Sequence, residues 1–190
     1  MDASFVFVRL IVRDLEQMFP DADFIHLGGD RIDTDCWMSD HGVSKMMKNK
    51  NLKTSTDLKN YFFKRMFETI KTVTSKPIAM YSNPSNYDVN WPEDIILIYT
   101  GILGEEDKDF RDFLARYPNN PHIFSHLDQF QLSEGLMNEY GSFPEGQTPW
   151  WQYIEYFEPS WFYSDDDSKH VLGGYAGMFA EFLDERNFMT

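Results

Sequence analysis

Phe19-Pro20-Asp21-Ala22-Asp23-Phe24-Ile25-His26-Leu27-Gly28-Gly29-Asp30-Arg31-Ile32-Asp33-Thr34-Asp35-Cys36-Trp37 is the stretch on which the reading of this chain turns. Pro20 closes the segment before it, because proline is excluded from helix interiors. Phe24 to Leu27 then forms an apolar run of strand length, followed at once by two glycines and the carboxylate of Asp30. A short strand that ends in Gly-Gly-Asp places a charged group at the strand's C-terminal end.

Working outward, the apolar residues Phe5, Val8, Ile11, Val12, Leu15 and Met18 recur at helical spacing between Ser4 and Met18. Thr54 or Thr56 can cap a helix running to about Ser75, with Leu58, Phe62, Met66, Phe67 and Ile70 on one face. Residues 77–81 and 95–99 are apolar runs short enough to be strands buried on both faces. Phe110, Phe113 and Leu114 predict a helix ending before Pro118, and residues 122–125 another strand. Residues 128–149 read as a long loop, 150–157 as an aromatic helix, 171–175 as a last strand and 178–183 as a short helix. Five short strands separated by helices or long loops predict a parallel α/β sheet or a barrel.

Composition narrows the function classes. With 190 residues, 42% hydrophobic and 17% aromatic, the chain suits one folded domain. A net charge of −14, with no basic stripe to offset it, argues against nucleic acid and anionic membrane as partners. Neutral ligands such as sugars, and other proteins, remain. The apolar segment 5–12 is short and interrupted by Arg9, so it has neither the form of a signal peptide nor the length of a membrane span. The one cysteine, Cys36, excludes an internal disulfide and is read as a buried free thiol. His41, His122, His126 and His170 show no metal-ligand spacing, and Asp165-Asp166-Asp167 lacks the spacing of a calcium loop, so neither metal nor cofactor is expected.

The stretch 19–37 resembles the signature of the β-N-acetylhexosaminidases of glycoside hydrolase family 20, His-x-Gly-Gly-Asp-Glu-Val followed by Cys-Trp. A bare Gly-Gly-Asp is weak; the Phe-Pro lead-in, the His-Leu-Gly-Gly-Asp core and Cys36-Trp37 in register are much stronger. Later segments agree in order. Trp151-Gln152-Tyr153 through Pro159 is similar to the family's Trp-Gln…Tyr…Pro segment. Leu172-Gly173-Gly174 through Met178-Phe179-Ala180-Glu181 resembles its Gly-Gly-Glu…Trp-x-Glu motif.

The resemblance implies a substrate-assisted hydrolysis, an exception to the two-carboxylate scheme. The substrate's acetamido oxygen attacks the anomeric carbon, an aspartate holds the acetamido nitrogen, and the adjacent glutamic acid protonates the leaving oxygen. Barrel active sites form at the C-terminal ends of the strands. Here the aspartate is kept as Asp30, but Arg31 stands in place of the acid. A guanidinium stays protonated at usable pH and cannot give up a proton and take it back. Losing a general acid typically costs roughly 10²–10⁴-fold in rate. Arg31 is also placed to pair with Asp30.

Other matched positions differ too. Tyr81, Tyr99 and Phe179 replace the family's tryptophans; they keep an aromatic ring able to face a sugar, although aromatics in barrels are more often core. Gln131 stands at the tyrosine that holds the acetamido oxygen, and Ser133 at an acid or amide. Glu181 is kept at a position that binds sugar hydroxyls, with a solvated glutamate as the plain alternative. His26 is read as a satisfied structural histidine rather than a catalyst.

A complete barrel has eight strands and about 250 residues. The resemblance makes the first strand here the family's fourth, so residues 1–190 are read as a single incomplete domain, a partial TIM (β/α)8 barrel of about five strands. The family's usual partner for the cysteine and a sugar-gripping arginine belong to the missing part. Two open sheet edges and an exposed core face are expected, so that another protein chain or self-association covers them. Two functional expectations follow. One is a degenerate hexosaminidase-like protein without useful hydrolysis, with a structural, interaction or weak N-acetylhexosaminide-binding role. The other is a working hexosaminidase whose remaining barrel comes from a second chain. The family is usually lysosomal or secreted, and this sequence adds nothing on compartment.

Overall fold

The structure, a computed structural model, describes residues 2–29, 32–82, 88–100, 108–125 and 167–176. Helix α1 (Asp2–Met18) buries Phe5 and Val12, with Val8 and Leu15 packed beside them. Ile11 and Met18, which helical spacing assigned to that face, point outward instead. The reason is that α1 carries apolar residues around most of its circumference, so periodicity alone cannot choose the buried face.

Strand β1 (Ile25–His26) is followed by α2 (Asp35–Ser39) and α3 (His41–Lys50), two helices the sequence reading did not anticipate. The Asp40 side chain caps α3 by accepting from the Val43 backbone N–H at 2.8 Å, and Asn51 ends it in the left-handed region at φ 56°. Helix α4 (Ser55–Ile70) starts with a capping box in which Thr54 and Asp57 satisfy each other's backbone donors, so Thr54 is the cap. It stops at Ile70, short of Ser75. The run Thr72-Val73-Thr74 is β-branched and helix-poor, and the Thr72 hydroxyl donates to the Thr69 carbonyl at 2.7 Å. Strands β2 (Ile78–Ser82) and β3 (Ile95–Tyr99), helix α5 (Lys108–Arg116), strand β4 (His122–Phe124), a 3-10 turn (Asp167–His170) and strand β5 (Val171–Gly174) complete the described elements. The loop expected at 128–149 and the helices expected at 150–157 and 178–183 lie outside the described residues.

All the strand pairs are parallel, and the spatial order β1-β2-β3-β4-β5 is the chain order. A doubly wound sheet would reverse direction at a switch point; this one does not, and is a segment of barrel wall. Neighbours in register share a face. Ile78, Met80, Ile95, Leu97, Tyr99 and Phe124 face the helices and join Phe63, Phe67 and Phe113 in the main core. Ala79, Ile96 and Ile98 lie on the opposite face, with Tyr81 and Ile123 packed against them. Burial on both faces is why 95–99 reads as an unbroken apolar run. It also corrects the expectation of an exposed core face, since Ala79, Ile96 and Ile98 are at most 6% exposed at the centre of that second face. The outer edges of β1 and β5 have no partner among the described residues.

Side chains of α4 pin the end of the β2–β3 connection. Asp88 accepts from Thr56 Oγ1 at 2.6 Å and from Lys59 Nζ at 2.5 Å, while Asn60 donates to the Asp88 carbonyl and accepts from the Asn90 N–H. Partial burial disfavours the Asp88 carboxylate, but the hydrogen bonds from Lys59 and Thr56 and the Lys59 charge outweigh it and hold its pKa below the ordinary value. That stabilisation is present above the unfolded value of 3.8 and is lost as pH falls through the lower folded value. Lys59 is almost wholly buried, so Asp88→Ala strands its charge and is expected to cost about 2–3 kcal/mol in urea denaturation at pH 7. Loss of the exposed Lys71–Asp94 pair is expected to cost under about 1 kcal/mol.

Candidate active site

The end of β1 is built by backbone. Leu27 N–H donates to the Ala79 carbonyl and Tyr81 N–H to the Gly28 carbonyl, so pairing with β2 continues past the two strand residues. The chain then leaves the sheet through two consecutive left-handed glycines, Gly28 at φ +75° and Gly29 at φ +86°. Only glycine adopts such a pair without strain. Gly29 meets a second limit: a Cβ there would stand 2.6 Å from Met80 Cε. The turn lies at the C-terminal end of the parallel strands, where barrel sites form. Asp30 and Arg31 themselves lie outside the described residues, as do Gln131, Ser133, Phe179 and Glu181.

Of the expected sugar-facing residues, Tyr81 and Tyr99 are described, and the sheet separates them. Tyr81 pairs with Ile98, and both belong to the face away from the helices. Tyr99 pairs with Ser82 on one side and Phe124 on the other, and is fully buried among Phe110, Phe113 and Phe124 at ring separations of 4.9, 5.0 and 6.1 Å. The expectation that Tyr99 faces a sugar is therefore corrected: one position along a strand reverses the side-chain direction, and Tyr99 is core.

The neighbour of Tyr81 on its own face is His26, whose ring meets Tyr81 edge-on at 4.3 Å. Among the described residues His26 Nε2 is buried without a hydrogen-bond partner, which departs from the reading of His26 as a satisfied histidine. Burial lowers its pKa below 6.5 and favours the neutral ring. Sequence reasoning missed the His26–Tyr81 pair because it depends on the β1–β2 register. Cys36 also departs from expectation. It lies in the first turn of α2, which buries none of its residues, and it is exposed, while Trp37 packs at 5.3 Å from Phe62. Among the described residues, no three His, Cys, Asp or Glu side chains gather as a metal-ligand set.

The match to the model of the glycosyl hydrolase family 20 catalytic domain covers residues 1–190. The chain belongs to this family. It is 25% identical over 193 residues to β-hexosaminidase subunit beta of Sus scrofa, covering 98% of this chain and 32% of that protein. It is 26% identical to β-hexosaminidase subunit A2 of Dictyostelium discoideum, over 94% of this chain and 31% of that protein. The chain thus spans about a third of the length of these relatives. Among solved structures, a β-N-acetylhexosaminidase matches with a TM-score of 0.75 at 16% identity, over 95% of this chain and 37% of the other. The enzyme from Bacteroides fragilis matches at 0.66 and 20%, over 95% of this chain and 35% of the other. The fold is therefore a partial family 20 TIM barrel.

The glycine turn makes a graded prediction. Gly28→Ala, with nothing near its Cβ, is expected to cost about 1 kcal/mol of backbone strain. Gly29→Ala adds the displacement of Met80 and is expected to cost about 2–3 kcal/mol, both measured by urea denaturation.

Proposed function

We propose that this chain is a degenerate β-N-acetylhexosaminidase-like protein that does not carry out useful glycoside hydrolysis. The observation that carries the reading is Arg31 at the position of the family's general acid. A permanently protonated guanidinium cannot deliver a proton to a leaving oxygen and recover it from water. Asp30 keeps the place of the carboxylate that holds the acetamido nitrogen, with the Arg31 charge next to it in sequence. Gln131 in place of a tyrosine weakens the hold on the acetamido oxygen, and Ser133 removes an acid or amide.

In this reading residues 1–190 are one incomplete catalytic-like domain. Its remaining role is structural or as an interaction partner, with weak binding of N-acetylhexosaminides on the face that carries Tyr81. Phe179 and Glu181 are proposed to contribute to that binding; Tyr99 is not. A second chain, or a second copy, completes the array. One observation favours the competing reading: the chain spans about a third of its relatives, so another polypeptide could supply the rest of a working hexosaminidase.

Turnover of a chromogenic aryl N-acetyl-β-glucosaminide separates the two. An aryl leaving group needs little protonation, so this substrate best tolerates a missing acid. The unmodified chain is expected to show no turnover above buffer. Arg31→Glu is expected to recover far less than the roughly 10²–10⁴-fold a general acid supplies, because the acetamide contacts remain altered. Robust turnover abolished by Asp30→Ala contradicts the proposal and establishes the split enzyme. The two tyrosines are expected to part company as well. Tyr81→Ala weakens N-acetylglucosamine binding measured by NMR titration and, losing a half-buried ring, costs about 1–2 kcal/mol. Tyr99→Ala removes a fully buried ring and costs about 3–5 kcal/mol.

A further inference from the structure

The net charge of −14 conceals an uneven distribution. Residues 41–67 hold seven of the chain's 17 basic residues and one of its 31 acidic residues, Asp57. That stretch carries +6 and the rest of the chain −20. The sequence reading expected no basic stripe; the fold builds a basic face by laying the end of α3 against α4. Lys50 Nζ stands 5.0 Å from the centre of the Tyr61 ring, and Lys64 lies one turn beyond Tyr61 on α4. Lys48 and Lys50 sit in the last turn of α3, and Lys53 comes just before the Thr54 cap. Lys45, Lys48, Lys50, Lys53 and Lys64 are all exposed, and none of them forms an ion pair among the described residues. The Asp57 carboxylate is taken up by the backbone N–H groups of Lys53 and Thr54. Cations in its last turn suit the dipole of α3, which accounts for Lys48 and Lys50 but not for Lys53 and Lys64.

Lys64 also stands on the rim of a cavity of about 440 Å³ between α4 and the residues leading into β3. Phe67 and Trp91, with ring centres 6.1 Å apart, and the exposed Pro92 give this cavity apolar surface. One wall is fixed before anything binds: Asn60 accepts from the Asn90 N–H at 2.7 Å, and Arg116 donates to the Asn90 side chain at 2.8 Å. The rim has two unlike ends. Toward the C-terminal end of α4, Lys71 is paired with Asp94 at 2.6 Å and Glu68 adds a carboxylate. Toward α3, the charges are those of Lys64, Lys50 and Lys53.

We propose that this surface docks a short acidic segment of another protein, with one bulky apolar side chain in the cavity and its carboxylates running toward α3. The apolar cavity supplies an anchor point, and the lysines beside it supply charge complementarity. Their spacing sets the length. Thr54 and Lys64 are about 15 Å apart along α4, which an extended chain spans in about five residues. A long polyanion is disfavoured, because beyond this face it meets the −20 charge of the remaining chain. The inference does not depend on whether the chain hydrolyses sugars: this surface is on the helix side of the sheet, and Tyr81 is on the other.

Fluorescence anisotropy with a labelled synthetic peptide, a run of aspartate and glutamate ending in leucine, tests the proposal on the full 190-residue chain. Saturable binding is expected at low salt, weakening at least about tenfold by about 0.3 M salt as the charges are screened. Lys50→Glu with Lys64→Glu is expected to weaken binding at least about tenfold, and the milder Lys50→Gln with Lys64→Gln to weaken it less. Both pairs are expected to leave the melting of the chain nearly unchanged, since these side chains are exposed. Replacing the peptide's leucine by alanine is expected to weaken binding at least about threefold. No saturable binding, or binding that the lysine substitutions leave unchanged, overturns the proposal. An oligonucleotide or sulfated oligosaccharide of matched charge that binds as tightly also overturns it, by showing a general attraction for anions. Self-association through the same lysines overturns it as well, by making a second copy the occupant.

Discussion

Side-by-side pairing of parallel strands governs the rest of this structure. Once Ile25 stands beside Ile78 and Ile78 beside Ile95, the direction of each side chain in β2, β3 and β4 is fixed. Met80, Leu97 and Tyr99 must go into the helix-facing core, and Ala79, Ile96, Ile98 and Tyr81 to the other side. The helices accept this division. α4 presents Phe63 and Phe67, α5 presents Phe110 and Phe113, and the rings pack against one another and, from α5, against Tyr99 of β3 at separations of about 5–6 Å that favour edge and offset packing. The register also fixes where β1 ends, because the Gly28 carbonyl still accepts from Tyr81 N–H before the glycine turn begins.

Much of this was legible in residues. The apolar runs at 77–81 and 95–99 were short enough to be doubly buried strands, and Thr54 was one of two candidate caps for the helix that its capping box with Asp57 begins. Other features were not legible because they depend on partners distant in sequence. Helical spacing put Ile11 and Met18 inside, but α1 is apolar on two sides and its packing against α4 made the choice. A motif match put Tyr81 and Tyr99 in one class, while strand parity put them on opposite faces. The short helices α2 and α3 lack a strong apolar face, and α2 buries nothing, which is also why Cys36 is exposed rather than buried.

The candidate site separates scaffold from chemistry. The scaffold is intact at the end of β1: two left-handed glycines, one closed in by Met80, with Tyr81 and a neutral-favouring His26 on the adjoining face. In the proposed reading the chemical groups have changed, most plainly at Arg31. On that proposal the barrel loses its proton donor while the strand, the glycine turn and an aspartate next in sequence are kept.

Transition-state complementarity gives the most direct measurement. Acetamido attack on the anomeric carbon closes a five-membered ring, and a site that promotes this step binds a stable analogue of that ring far more tightly than it binds the sugar. Calorimetric titration of the full chain with such an analogue and with N-acetylglucosamine compares the two. The account predicts affinities within about tenfold of each other. A preference of about 10²-fold or more for the cyclic analogue would show that the site still stabilises the reaction, and would contradict the reading of this chain as catalytically degenerate.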